Sequence, residues 1–237
     1  MTRRGSRPAA PPVVAIIPAG GTGTRMGGRT PKQFRRLITA PVLFFTVGHF
    51  ARHPAIGGIV VVAPAPHVGR AERLLHPLGP RRRVLVVPGG VDRQDSVRLG
   101  LEAVSPGAEI VIVHDAVRPF VTLRLITAVL AAARRDGGAI CALPIRETVK
   151  RVAGDYVEST IDRTGLWTVQ TPQAFRAGLL REAHDKARRD GFLGTDEAML
   201  VERLGHRVRV VPGLEANIKI TTPGDLRRAR QMLGRRA

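Results

Sequence analysis

The feature that most constrains the fold is the regular alternation of short apolar runs with longer amphipathic segments. Each apolar run holds four or five residues and is rich in valine, isoleucine or alanine, as strands buried on both faces are. Helical patterns are interleaved with these runs, and Asp95 and Thr122 are candidate helix caps. The runs are residues 13–17, 59–63, 84–87 and 110–113, and the helical patterns are 41–53, 67–75, 95–104 and 123–135.

This alternation predicts an α/β fold with a doubly wound, mostly parallel sheet of Rossmann-like type. Ligands bind such sheets beyond the carboxyl ends of the strands, so the loops after Ile17, Val87 and Val113 are expected to line one cleft. The α/β pattern resumes near the end of the chain. There we predict helices that begin at Arg176, at a Thr195 cap and after Pro223, and strands over 207–211 and 217–220.

The segment from about residue 144 to 170 departs from this pattern. Two stretches, 149–152 and 156–160, alternate loosely between polar and apolar residues and flank a Gly154-Asp155 turn. This pattern predicts a protruding β-hairpin arm. A two-stranded hairpin is only marginally stable alone, so we expect the arm to pack against a second copy and to make the protein a homodimer.

Composition narrows the function classes. The net charge is +19, from 38 Lys and Arg against 19 Asp and Glu, which favours phosphate-bearing partners. No basic segment is interleaved with aromatic residues, so nucleic-acid binding is not predicted. Apolar stretches stay below the roughly 18 residues of a membrane span, and the chain is expected to act in the cytoplasm, without a membrane. Residues 1–12 are expected to be a disordered tail before one domain over 13–237.

The loop after the first apolar run combines glycines with cations. It reads PAGGTGTRMG over residues 18–27 and continues to Lys32. Its glycines let backbone N–H groups approach phosphate oxygens, and Arg25 and Lys32 add positive charge. The spacing matches neither the dinucleotide fingerprint G-x-G-x-x-G nor a Walker loop. The loop therefore predicts phosphoryl or nucleotidyl transfer, in which the transition state gathers negative charge on phosphorus oxygens.

Together with five further segments, this loop resembles the 2-C-methyl-D-erythritol 4-phosphate cytidylyltransferase family, which has a nucleotide-diphospho-sugar transferase fold. The resemblance spans about residues 13–233. It implies transfer of CMP from CTP to 2-C-methyl-D-erythritol 4-phosphate, with release of pyrophosphate, in the non-mevalonate route to isoprenoids. The segments are GGVDRQDSV at 89–97, VHDAVRP at 113–119, DRTGLW at 162–167, QTPQ at 170–173 and NIKIT at 217–221.

The resemblance also implies a CTP site and the groups that act on the transferred phosphate. Arg25, Lys32, Arg163 and Lys219 would be catalytic, and Mg²⁺ would be held mainly by the CTP phosphates, with Asp115 as a candidate ligand. Val91 stands where the family often has an acidic residue, so cytosine would be read by backbone groups. The implied CTP-binding residues are Pro18, Ala19, Gly20, Gly21, Thr22, Gly23, Arg25, Lys32, Gly90, Val91, Ser96, Asp115 and Ala116.

The acceptor pocket implied by the resemblance comprises Asp115, Arg118, Thr148, Arg163, Thr171, Thr195 and Lys219. Arg163 follows the predicted hairpin, so it is expected to work in the active site of the neighbouring subunit. Whether Asp115 contacts metal, ribose or acceptor is left open by its sequence. His114 is expected to be a packing residue, because an ionised phosphate nucleophile needs no general base.

Two alternatives remain at this point. Ribitol 5-phosphate could be the acceptor, because the first loop and the VHD segment would look alike in a ribitol-5-phosphate cytidylyltransferase. The chain could also be a basic nucleic-acid-binding or regulatory protein that has kept an inactive fold.

Overall fold

The computed structural model describes residues 13–21, 26, 30–81 and 83–234. The expected tail over 1–12 and the candidate site residues Thr22, Gly23 and Arg25 lie outside the described residues. Seven strands form a central sheet in the order β3-β2-β1-β4-β8-β5-β9. They are β1 (Val13–Pro18), β2 (Gly58–Ala63), β3 (Arg83–Pro88), β4 (Ile110–Val113), β5 (Gly138–Pro144), β8 (Trp167–Arg176) and β9 (Arg209–Pro212).

Helices cover both faces of this sheet. Because side chains alternate along a strand, Ile17 of β1 enters one apolar cluster with residues of three helices, whereas Ile16 enters a second cluster on the opposite face. This confirms the doubly wound architecture. The helices are α1 (Val42–Arg52), α2 (Val68–Leu75), α3 (Arg93–Glu102), α4 (Leu123–Asp136), α5 (Ala177–Arg189), α6 (Glu197–Glu202) and α7 (Pro223–Gly234).

The sheet is mostly parallel, as predicted, but it contains two strands, β5 and β8, that were not predicted. Strand β8 runs antiparallel to both β4 and β5, while β1 to β4 and the β5–β9 pair are parallel. Polar residues interrupt the apolar pattern of β8. Gln170, Thr171 and Gln173 are nevertheless buried, and each makes side-chain hydrogen bonds.

The predicted hairpin is present as β6 (Val149–Ala153) and β7 (Tyr156–Ile161), an antiparallel pair outside the main sheet. Gly154 in its turn has φ +59°, a left-handed conformation that suits glycine. Apolar side chains of the hairpin are exposed: the exposed fractions are 56% for Val152, 83% for Tyr156 and 62% for Val157. In the described structure of one chain, these side chains are therefore left largely uncovered.

Three local predictions were wrong. Residues 217–220 form no strand, because individual hydrogen bonds hold them rather than a ladder: the Ile220 N–H donates to the Val117 carbonyl, and the Asn217 side chain donates to the Thr171 carbonyl of β8. The helix caps are Asp92 and Asp196 rather than Asp95 and Thr195. In each case an aspartate accepts a hydrogen bond from the backbone N–H three residues on, which is the usual capping geometry. Thr122 caps α4 as predicted.

Candidate active site

The carboxyl ends of β1, β3 and β4 border a cleft of about 290 Å³. The loops that follow these strands line it together, as the sheet topology predicted. Lys219, from the segment after β9, completes its wall. The lining residues are Pro18, Ala19, Gly20, Gly21, Lys32, Gln33, Gly90, Val91, Asp92, Arg93, Ser96, Asp115, Ala116, Val117 and Lys219.

The glycine-rich loop and the short 3₁₀ turn at Lys32–Phe34 form one wall. The Ala19 N–H donates to the Val62 carbonyl at 2.7 Å, and the Gln33 amide donates to the Ala19 carbonyl. Lys32 lies over Gly21: a Cβ placed on Gly21 would come within 3.3 Å of the lysine Cε. Glycine at this position therefore gives the Lys32 side chain room to cross the loop.

The loop after β3 forms the opposite wall and is fixed to the beginning of α3. Ser96 accepts a hydrogen bond from the Gly90 N–H at 3.2 Å, and its hydroxyl donates to the Asp92 carbonyl at 2.8 Å. Asp95 accepts from the Val91 N–H at 3.3 Å. A Cβ on Gly90 would lie 1.8 Å from an Asp95 oxygen, so a side chain at this position would displace Asp95 from the Val91 N–H. The Val91 side chain is 95% exposed and plays no part in holding the loop.

Asp115 is the electrostatic centre of the cleft. Its carboxylate lies 3.0 Å from Lys219 Nζ, 3.3 Å from Arg118 Nε and 3.4 Å from Arg93 Nε. Burial alone would raise the pKa of Asp115, but the positive charges of Arg93, Lys219 and Arg118 lower it well below its ordinary value. The carboxylate therefore stays ionised and gathers three cations at one end of the cleft.

Arg93 connects Asp115 to a second carboxylate that the sequence did not single out. Its guanidinium makes a bidentate pair with Glu197, with N–O distances of 2.8 and 2.9 Å. Glu197 is 1% exposed. A buried carboxylate thus fixes the plane of the Arg93 fork, because bidentate pairing restricts both position and orientation.

His114 is linked to Asp115 through the Thr171 hydroxyl, and its side chain is neutral. Burial lowers its pKa to about 4. Its Nε2 lies 3.0 Å from the Arg118 carbonyl, which only accepts, so Nε2 carries the proton and Nδ1 accepts from the Thr171 hydroxyl at 3.1 Å. The same hydroxyl accepts the Asp115 N–H at 3.0 Å. His114 is therefore a packing residue that orients Thr171, as expected.

Comparison with known proteins shows which family this chain belongs to. The model of the family described as 2-C-methyl-D-erythritol 4-phosphate cytidylyltransferase matches residues 13–235. This chain belongs to that family. The predicted enzyme class, a cytidylyltransferase acting on 2-C-methyl-D-erythritol 4-phosphate in the non-mevalonate pathway, is confirmed, and the match favours this acceptor over ribitol 5-phosphate.

Individual relatives agree with the family model. A 2-C-methyl-D-erythritol 4-phosphate cytidylyltransferase of Syntrophus aciditrophicus is 47% identical over 218 residues, which cover 91% of this chain and 93% of that protein. One of Geobacillus thermodenitrificans is 45% identical over 222 residues, covering 94% and 97%. The crystal structure of a 4-diphosphocytidyl-2C-methyl-D-erythritol synthase from Anaerococcus prevotii superposes with a TM-score of 0.82 at 30% identity, over 94% of this chain and 96% of that one.

The acceptor residues that the family resemblance implied fall into two groups. Asp115, Arg118, Thr171 and Lys219 lie together, and the Arg118 guanidinium also donates to the Asn217 carbonyl at 2.8 Å. Thr148, Arg163 and Thr195 are exposed and do not line the cleft of their own chain. The Arg163 guanidinium donates to the Arg146 carbonyl beside the hairpin.

The described residues contain no group of three or more His, Cys, Asp or Glu side chains arranged to hold a metal ion. A helix suited to crossing a bilayer is also absent from the part of the chain that the structure describes. Sequence reasoning missed Arg93, Glu197 and Gln33. Arg93 and Gln33 lie within or beside the quoted motifs, and Glu197 follows Thr195 by two residues, so their proximity to motif residues was the available signal.

Proposed function

We propose that CTP binds with its triphosphate over the glycine-rich loop and its cytosine beside the Gly90-Val91 loop, and that the acceptor phosphate approaches beside Lys219. An oxygen of the acceptor phosphate attacks the α-phosphorus in line with the leaving group. The new P–O bond forms as the bond between the α-phosphorus and the bridging oxygen breaks, and the electron pair of that bond leaves with pyrophosphate. The single observation that carries this proposal is the convergence of Lys32 and Lys219 on one cleft at the carboxyl ends of the strands.

Lys32 is proposed to act on the transition state. Negative charge grows on the oxygens of the transferred phosphorus, and a cation held in advance over the glycine loop stabilises that charge without reorganising. The contact between Lys32 and Gly21 supports this placement. Arg25, from the same loop, belongs to this proposal on the strength of the family resemblance.

Lys219 is proposed to hold the incoming acceptor phosphate. Its ammonium lies 3.0 Å from Asp115, which orients it and leaves two of its three N–H donors for other partners. Asp115, Arg118 and Thr171 then form the fixed floor of the acceptor pocket. In this arrangement Asp115 positions cations rather than taking a proton.

Cytosine is proposed to be read by backbone carbonyl groups. The N–H groups of Gly90 and Val91 already donate to Ser96 and Asp95, so the carbonyl oxygens are the groups available to a base. The exocyclic amine of cytosine donates a hydrogen bond, whereas the corresponding carbonyl of uracil cannot. Leaving a buried acceptor unpaired costs roughly 1 to 3 kcal/mol, so CTP should be preferred to UTP.

Mg²⁺ is proposed to enter with CTP. Asp115 fits poorly as a ligand of a resident metal, because its two oxygens already face Arg93, Arg118 and Lys219. Phosphate oxygens and water are the ligands that Mg²⁺ prefers at such sites. When bound, Mg²⁺ supplies charge neutralisation between the phosphates, and the protein side chains orient the triphosphate around it.

Thr148 and Arg163 are proposed to serve the active site of a partner subunit. Both lie on or beside the arm, outside the cleft of their own chain, and the arm exposes Val152, Tyr156 and Val157. A homodimer formed through the arm would cover these apolar side chains and bring Arg163 to the neighbouring acceptor pocket. Thr195, which precedes α6, is kept as a proposed acceptor contact on the strength of the family resemblance alone. The proposed location is the cytoplasm, where nucleoside triphosphates are available.

Pyrophosphate release tests the proposal most directly. The purified chain is assayed with CTP, UTP, ATP and GTP, each with 2-C-methyl-D-erythritol 4-phosphate and with ribitol 5-phosphate, in the presence and absence of Mg²⁺. We expect release with CTP and the methylerythritol phosphate, dependent on Mg²⁺. Equal rates with UTP and CTP would refute carbonyl reading of cytosine, and equal rates with both acceptors would refute the proposed acceptor pocket.

A further inference from the structure

A second groove, of about 750 Å³, lies beside the turn that carries Lys32. Lys32 and Gln33 of this turn line the catalytic cleft, whereas Phe34 lines the groove, and the two sites share no lining residue. Five arginines and no carboxylate border it among the described residues. We call it the arginine groove, and its arginines are Arg35, Arg36, Arg70, Arg227 and Arg230.

Several of these guanidinium groups are held in place by backbone and aromatic groups rather than by acids. Arg230 donates to the Leu37 carbonyl at 3.0 Å and to the Arg36 carbonyl at 2.9 Å. Arg36 donates to the Thr39 carbonyl at 2.9 Å. Arg70 lies over the Phe34 ring, 4.6 Å from its centre. Carbonyl groups and rings orient the positive charges without neutralising them.

Four of the five groove arginines have no acidic partner among the described residues. Across the described residues, no carboxylate lies within ion-pair distance of Arg36, Arg70, Arg227 or Arg230. The arginines of other surface regions differ, since Arg135, Arg203 and Arg209 each pair with an aspartate. The nearest acid along α7, Asp225, uses one oxygen to accept hydrogen bonds from Thr221 and Thr222.

We propose that the arginine groove is a second anion site, separate from the catalytic cleft, that binds a small anion carrying two or more phosphate groups. Each guanidinium has five N–H donors, and Arg230 uses only two of its own on carbonyl groups. Arginine forks match phosphate oxygens in pairs, and a polyvalent anion relieves the repulsion among several of them at once. A single carboxylate would engage only one or two of the five.

Calorimetric titration of the full chain with inorganic tripolyphosphate tests this site. A background variant, Lys32→Met with Lys219→Met, removes the two lysines that line the cleft. On this background Arg70→Ser with Arg227→Ser is compared with a matched control, Arg73→Ser with Arg228→Ser. The control removes the same charge from the same two helices at exposed positions outside the groove. Thermal unfolding of each variant establishes that it is folded.

We expect the background variant to bind tripolyphosphate, the groove variant to bind it at least tenfold more weakly, and the control to stay within about twofold. Equal weakening in the groove variant and the control would show diffuse surface attraction and overturn the proposal. Loss of binding in the background variant would assign all binding to the cleft and overturn it as well.

A parallel titration with ATP distinguishes a nucleoside triphosphate from an inorganic polyphosphate as the ligand of the groove. Equal loss for ATP and tripolyphosphate in the groove variant supports recognition of the phosphate chain. Loss for ATP alone would show that phosphates do not suffice, contrary to the proposal.

Discussion

Around Asp115, three cations of the same chain converge on one buried carboxylate, whereas along the hairpin arm Val152, Tyr156 and Val157 are more than half exposed. Both regions supply residues to the proposed reaction, but they differ in whether one chain is enough to position those residues. The cleft is built at the ends of strands whose positions the sheet fixes. Among the described residues the arm has two strands and no covering layer, so we expect its function to depend on what packs against it.

This contrast separates the residues proposed for CTP from those proposed for the acceptor. Lys32, Ser96 and Asp115 are positioned by contacts inside one chain. Arg163 and Thr148 do not line the cleft of that chain, and the Arg163 guanidinium donates to the Arg146 carbonyl beside the hairpin instead. Substitutions in the two regions should therefore differ in whether a second chain can compensate for them.

The largest effect is expected from Lys32→Met, a change confined to the cleft. The value of kcat should fall by about 10² or more while the KM for CTP changes less, because the cation acts mainly on developing negative charge. Steady-state kinetics measure both. Lys186→Met is the control, since Lys186 pairs with Asp190 on the surface of α5. A kcat close to that of the unmodified chain would contradict the assignment.

How far the sequence predicted the cleft depends on the type of signal each residue carries. Asp115 follows a run of valine and isoleucine, so its charge contrasts with its neighbours in sequence. Lys32 and Lys219 are two of only four lysines in a chain with 34 arginines, so their residue type is unusual. Arg93 gave no such contrast in an arginine-rich chain. Glu197 became significant only through its partner 104 positions away, which no local pattern indicates.

The fold was predicted to a similar extent and for similar reasons. Strands β1 to β4 have continuous apolar runs and were found, whereas the apolar run that forms β5 was not assigned as a strand. Strand β8 was missed because Gln170 and Gln173 face polar partners that belong to distant segments, namely Leu214 and Asp196. Residues 217–220 were assigned as a strand from apolar alternation, although tertiary hydrogen bonds to the Val117 carbonyl and Thr171 hold them instead.

The second effect in size is expected from Arg163→Ala, a change confined to the arm. The value of kcat/KM for the acceptor should fall about tenfold to a hundredfold, as for the loss of a charge-assisted bidentate contact, while CTP binding stays nearly intact. Substrate-dependence kinetics and CTP titration measure the two. Arg151→Ala, at an exposed position of the same arm, should leave both unchanged.

Mixing the Arg163→Ala chain with the Lys32→Met chain then tests whether Arg163 acts across subunits. In a mixed dimer, one of the two sites would draw both Lys32 and Arg163 from intact copies, so activity should return. The mass of the purified species must first be that of a dimer. If such mixed dimers are no more active than the two parents, the arm does not share the site.

A smaller effect, about tenfold in kcat/KM, is expected from Glu197→Gln. The bidentate partner of Arg93 is then lost, and the guanidinium beside Asp115 is no longer held in one plane. Arg93→Ala should cost about the same, and the double variant should cost no more than either single one, because coupled residues are not additive. Glu202→Gln, at an exposed position of α6, is the control. Additive losses would show that the two residues act independently.

The smallest effect on the folding of one chain is expected from Val157→Ser on the arm. Its side chain is 62% exposed, so the free energy of unfolding at low protein concentration should change by less than about 0.5 kcal/mol. The buried counterpart Val129→Ala removes core contacts and should cost about 2 kcal/mol under the same conditions.

If Val157 packs against a second copy, the free energy of unfolding of the unmodified chain rises with protein concentration, and Val157→Ser removes that dependence. Urea titrations at two concentrations, with sedimentation of the same samples, measure both quantities. An unchanged concentration dependence would mean that Val157 is not covered by a partner, and the exposed face of the arm would then need another occupant.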